Sequence, residues 1–250
     1  MGTMQKPAVG PTDEVTTVGS VFGAPVVVKG ITWLPLTQVA VWLIMAWHAG
    51  RGHPDRSWGK RFATGALTMA AILGSEWCHN LAHAAAARLV GKPMDALRVT
   101  WGMPLVVYYD VNDESVTPRQ HIARALGGPA FNALLLPFAL LVRKLTRPGS
   151  VPRDVADAAA GMNLFLSTAS LLPIPGIDGG PILKWALVAR GSTPREADET
   201  VKAVDRVVGG GLGVTAGVAF RKRRRFLGAI LAMFSLLALA VGFGLVKEQE

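Results

Sequence analysis

Glu76-Trp77-Cys78-His79-Asn80-Leu81-Ala82-His83 sits inside an apolar run from Phe62 to about Val90. A run of that length closed by Gly91 is expected to be helical. At 3.6 residues per turn, the i, i+4 spacing places the imidazoles of His79 and His83 on one face, one above the other. That is half of a tetrahedral metal site. On a soluble helix two such histidines are more often ordinary polar residues. In a helix surrounded by lipid an ionisable group is costly, and the functional reading gains.

Composition supports the lipid setting. The 250 residues are 50% hydrophobic with a mean hydropathy of +0.35, and the chain carries apolar runs of about 20 residues. The expected fold is mostly α: a polytopic transmembrane helix bundle of about 4 to 6 spans with a small membrane-associated β element. Residues 1–30 read as an N-terminal extension and 31–250 as one integral membrane domain, with its core at about 62–190 and a surface helix and last span over 191–250. The net charge of +9 is clustered between apolar runs, which fits membrane topology and gives no reason to expect nucleic acid. A single cysteine, Cys78, excludes an internal disulfide and a cysteine-cluster zinc site, and reads as small core filler.

Working outward, Ile31 to Ala49 is free of Lys, Arg, Asp and Glu and forms the first candidate span. Before it there is no h-region with a small-residue cleavage site, so no removable signal peptide is expected. Met1 to Ser20 read as loosely ordered, and Val21 to Val28 as a short strand or an interfacial segment. Arg51, Arg56, Lys60 and Arg61 make a basic loop with His48 and His53 at the interface. Arg88 and Lys92 mark the far end of the histidine helix, where Gly91 suits a left-handed C-terminus. Leu97 to Val111 is rich in β-branched and aromatic residues and broken by Gly102 and Pro104, which reads as a strand pair at the membrane surface.

A third span covers about Ala125 to Val142. Gly127 and Gly128 allow close helix contact there, and Asn132 must find a partner. Arg143, Lys144, Arg147 and Arg153 follow. The fourth run, Ala158 to Ile177, ends in a stretch of prolines and glycines that breaks the backbone and sets Asp178 at the break. At membrane depth such a break needs protein or a water cavity around it. Pro194 to Val208 has the charge mix of a surface helix, and Val207 to Phe220 looks too short to span. Arg221 to Arg225 is a juxtamembrane basic cluster, and Phe226 to Val246 a clean last span.

Three blocks in this order resemble the site-2 protease family of intramembrane zinc metalloproteases. They are His79-x-x-x-His83, Gly128-Pro129-Ala130-Phe131-Asn132, and Leu172-Pro-Ile-Pro-Gly-Ile-Asp178-Gly-Gly. The resemblance implies Zn2+ held by His79, His83 and Asp178, and a reaction that hydrolyses peptide bonds of transmembrane substrates within the bilayer. It also implies an integral, multi-pass protein of a prokaryotic-type cell membrane, with the lipid bilayer and a transmembrane-helix substrate or client as partners.

Two positions depart from the family pattern. The glutamate that takes the water's proton is replaced by Asn80, and an amide has no titratable lone pair near neutral pH. Loss of a general base costs roughly 10²- to 10⁴-fold, so this chain is expected to be impaired or inactive. Glu76 is the only acidic residue on the helix. It lies at about the same azimuth as the histidines and roughly 4.5 Å along the axis from His79, so it is a candidate substitute base; the simpler role is a hydrogen bond to a neighbouring helix or to His79. The second departure is Ser170, where the family carries a substrate-positioning asparagine. Asn163, one to two turns earlier, is a candidate to compensate, and Asn132 completes the expected substrate-binding set.

An unwound substrate could add as a strand to the Leu97–Val111 region, or those strands could simply cap the cavity. Simple alternation with the positive-inside rule makes the basic loops cytoplasmic, whereas the resemblance implies the opposite face. A catalytically silent, metal-holding homologue that binds transmembrane helices as a regulator is the competing function. A metal-ion transporter is a third, disfavoured because the ligands sit at one depth.

Overall fold

A computed structural model describes residues 14–174 and 177–245. Residues 1–13, Pro175, Gly176 and the end of the last expected span from Val246 on lie outside the described residues. The chain divides into two compact units, one made of 14–109 and 126–169, the other of 110–125 and 170–245.

In the first unit the chain opens with two strands, β1 (Thr16–Val21) and β2 (Ala24–Val28). Phe22 and Gly23 join them, both at positive φ (49° and 85°), the conformation a two-residue hairpin demands. Val21 to Val28 is therefore strand and turn, and Thr16 to Ser20, expected to be loose, are strand as well. A 3-10 turn over Gly30–Trp33 precedes Pro35, so α1 (Leu36–Gly52) begins later than the apolar run does.

The long helix α2 (Trp58–Leu89) starts on Ser57, whose side chain accepts from the Lys60 N–H. It stops where expected, with Gly91 at φ 74°. The strand pair follows as β3 (Ala96–Thr100) and β4 (Met103–Val107). The four strands form one sheet in the order β1-β2-β3-β4, with β2 and β3 parallel and Val26 opposite Leu97. Ala24 and Leu97 on its inner face, with Met94 just before β3, pack against Ala84 of α2, and Trp77 and Leu81 lie alongside. Sheet packing thus fixes the half of α2 that carries the histidines.

Two further helices complete this unit: α3 (Pro118–Leu145) from Leu126 onward, and α4 (Val151–Thr168), capped by Ser150. At one end Arg56, 5% exposed, pairs with Asp154 and donates to the Gly149 carbonyl at 2.7 Å. That ties the α1–α2 loop to the α3–α4 loop, so both basic loops lie at the same end of this unit.

The second unit holds the start of α3 together with α5 (Gly179–Val188), α6 (Pro194–Arg221) and α7 (Arg225–Gly242). Here the sequence expectation fails at one place. A surface helix ending near Val208 and a separate glycine-rich stretch prove to be one continuous 28-residue helix, α6. The reason is packing: a Cβ at Gly209 would press on Leu239, and Ser235 Oγ donates to the Gly209 carbonyl at 2.7 Å. Gly209 and Gly213 serve close approach to α7, the use small residues have between membrane helices. Among the described residues, α3, α6 and α7 are each long and apolar enough to cross a membrane.

Candidate metal centre

His79 and His83 lie on the buried side of α2, 6% and 5% exposed. Their Nε2 atoms are 3.1 Å apart and the ring planes stand at 82°, so the rings meet edge to face with these two nitrogens at hydrogen-bonding distance. Room for the rings comes from α3. A Cβ at Gly128 would run into the Nε2 of His83 and the Cε1 and Nε2 of His79, and one at Gly127 would meet the Ala82 carbonyl. The Gly-Gly-Pro segment is thus the wall against which the histidine pair is set.

Behind the rings a buried polar chain begins. His79 Nδ1 is 2.7 Å from Asn132 Oδ1. Asn132, with no exposed surface, donates from Nδ2 to Asn163 Oδ1 at 2.8 Å. Asn163 on α4 donates to the Ala159 carbonyl at 2.8 Å and to Ser75 Oγ at 3.0 Å, and Ser75 donates to the Ala71 carbonyl at 2.9 Å. On the other side the Gly128 N–H makes a long, 3.4 Å hydrogen bond to His83 Nδ1.

Asn132 and Asn163, singled out as substrate-positioning residues, are therefore placed behind His79, both buried. Sequence reasoning passed over Ser75. Its signal was available, since it precedes His79 by four residues and so shares the face of the histidines.

Asn80, 7% exposed, turns its amide back along the helix, donating to the Glu76 carbonyl at 3.0 Å and to Glu76 Oε1 at 3.3 Å. Glu76 thus meets Asn80 directly. In the second unit Asp178 stands at the start of α5, half-buried, with no hydrogen bond from its side chain to the helix it precedes. A Cβ at Gly179 would strike the carbonyls of Leu171 and Leu172, so the chain folds back tightly beside the carboxylate. Ser170 is buried in the short 3-10 turn Ala169–Leu171.

No protein-family model matches the chain. Over 86 residues it is 33% identical to the provisionally named zinc metalloprotease MJ0611 of Methanocaldococcus jannaschii. That match covers 34% of this chain and 44% of the relative, so the chain spans less than half the length of the curated relative it matches. The structure superposes on a site-2 protease from the same organism with a TM-score of 0.55 at 14% identity, over 95% of this chain and 98% of that one. The fold is that of the site-2 protease. The two likenesses together support a relation to the site-2 protease family, and with the three apolar helices they mark a membrane protein.

Proposed function

We propose that this chain holds zinc on His79, His83 and Asp178 in a membrane-embedded site of site-2 protease architecture, and that its hydrolysis of transmembrane substrates is impaired because Asn80 occupies the general-base position. His79 and His83 of the first unit offer two imidazole nitrogens, and Asp178 of the second offers a carboxylate. Two imidazoles and a carboxylate are a zinc donor set. Nitrogens at about 2.0–2.1 Å from a tetrahedral ion stand roughly 3.3–3.4 Å apart, and the Nε2 pair at 3.1 Å is within a few tenths of an ångström of that. The space a Cβ at Gly128 would fill supports the same reading.

Zinc held on three protein ligands supplies a Lewis acid and lowers the pKa of its water to about 7. The side chains around it have separable tasks. The histidines present lone pairs, and the Asp178 carboxylate offsets the ion's charge in a low-dielectric setting. Asn80 can hold a partner by hydrogen bonding but takes up no proton. The free edge of β4 offers an unwound substrate segment a place to pair. The proposed setting is a multi-pass protein of a prokaryotic-type cell membrane.

The observation that carries the impairment is the Asn80 amide lying on Glu76. It also favours a second reading, a catalytically silent homologue that holds the metal and binds transmembrane helices as a regulator. Metal analysis of the purified protein comes first: about one zinc per chain, lost in His79→Ala, is expected, and a metal-free protein from zinc-replete medium overturns both readings. Cleavage of a single-span reporter then separates them. Slow hydrolysis supports impaired proteolysis; binding without cleavage, in this chain and in its Asn80→Glu variant alike, replaces it with the silent reading.

A further inference from the structure

The hydrogen bonds that link His79 and His83 to each other and to α3 and α4 run in one direction. The chain starts at a backbone donor, the Gly128 N–H, and ends at two backbone acceptors, the carbonyls of Ala159 and Ala71. A main-chain N–H can only donate and a main-chain carbonyl can only accept, so neither end can reverse. Polarity propagates inward from them. The Asn163 amide nitrogen must face Ala159, which leaves its oxygen for Asn132. Asn132 must then meet that oxygen with its own nitrogen and show its oxygen to His79. The proton of His79 is therefore on Nδ1, and its Nε2 carries the lone pair. His83 is the opposite tautomer. Accepting at Nδ1 from Gly128, it carries its proton on Nε2 and donates across the 3.1 Å gap to His79.

We infer that Asn163, acting through Asn132, is a positioning residue that sets the tautomer of His79, and that the two histidines are unequal: His79 is preset to ligate a cation through Nε2, while His83 must move its proton from Nε2 to Nδ1 before it can do the same. This asymmetry rests on the zinc reading only in its second half; the tautomers are a property of the metal-free protein. The groups that do the setting lie on two other helices, α3 and α4. The cost of His83's switch is modest, because the contact it gives up, with the Gly128 N–H, is the long one at 3.4 Å. Coupled orientation of this kind is worth about 10- to 100-fold in metal affinity at histidine sites generally.

The test uses the full chain, purified in detergent, stripped of metal and labelled with ¹⁵N-histidine, since imidazole nitrogen shifts distinguish the two tautomers. The expected result is Nδ1–H for His79 and Nε2–H for His83, each assigned by its loss in the corresponding His→Ala variant. In Asn163→Leu the Asn132 amide is free to turn over, so His79 becomes a mixture of tautomers while the helical circular dichroism is kept. Asn132→Asp, whose carboxylate still accepts from Nδ1–H, retains the native tautomer; Asn132→Leu loses it. Titration with Zn2+ alone is expected to bring His83 to Nδ1–H and to show a 10- to 100-fold weaker affinity in Asn163→Leu.

An unchanged His79 tautomer in folded Asn163→Leu overturns the inference, and so does a native His79 already protonated on Nε2. Should Asn163→Leu fail to fold, the contrast between Asn132→Asp and Asn132→Leu decides, and equal tautomer ratios in those two overturn it. A chain that shows the expected tautomers and their dependence on Asn163 yet takes up no zinc leaves the positioning role standing and removes the metal reading.

Discussion

Asn80 is tied to Glu76: its Nδ2 lies 3.0 Å from the Glu76 carbonyl oxygen and 3.3 Å from Oε1, one helical turn back. Asn80 is thus not an isolated amide in place of a carboxylate, because a carboxylate already lies beside it. Replacing Asn80 by glutamate sets two acids at hydrogen-bonding distance in a half-buried place, where one of them is driven to keep its proton. Asn80→Glu alone is expected to recover only part of the roughly 10²- to 10⁴-fold that a base supplies. The double change Glu76→Gln with Asn80→Glu is expected to recover more. Cleavage of a single-span reporter in proteoliposomes compares the two, and a single variant as active as the double one contradicts the pairing.

Gly128 is the tightest point around the histidine pair. Gly128→Ala is expected to push both imidazoles from their places and to lower zinc occupancy, at a cost of about 1–3 kcal/mol typical of overpacking. Gly161→Ala is the control, because a Cβ there meets nothing within 4 Å. Zinc content and thermal unfolding of the two variants, measured side by side, check this; equal losses in both would mean that crowding against the rings is not the cause.

The Arg56–Asp154 pair makes a sharper stability prediction. Arg56 is buried, and Asp154 is its only carboxylate partner among the described residues. Asp154→Ala leaves the guanidinium with the Gly149 carbonyl alone and is expected to cost about 3–5 kcal/mol. Arg56→Met removes the charge itself and is expected to cost less. Reversal of that order in thermal melts would show that the charge is reached by water.

Between α6 and α7 the contact is made by small residues. Ser235→Ala removes one hydrogen bond and is expected to cost only about 0.6 kcal/mol. Gly209→Leu forces the helices apart and is expected to expose the hairpin to protease far more than Ser235→Ala does. Limited proteolysis of the two variants reads the difference, and similar digestion rates would argue against close approach at Gly209.

How much of the fold and of the centre was legible follows from the range of each interaction. The histidine pair and the stop at Gly91 depend on residues a turn or two apart, and both stand where periodicity placed them. The need of Asn132 for a partner was readable, but its identity was not, because Asn163 and Ser75 come from other helices and only tertiary packing brings them behind His79. The continuity of α6 was misread for a related reason: glycine lowers local helix propensity, and its compensation comes from α7, which a local reading does not weigh. Parallel pairing of β2 with β3 left no local trace at all.

That last pairing sets an order of assembly. The β1–β2 hairpin can close as soon as it is synthesised, since its turn is two residues long. Its other neighbour, β3, is made only after α1 and α2. The edge of β2 that β3 takes therefore has no partner until α1, α2 and β3 have been made, and it is the seating of β3 between β2 and β4 that sets the histidine half of α2 against the sheet.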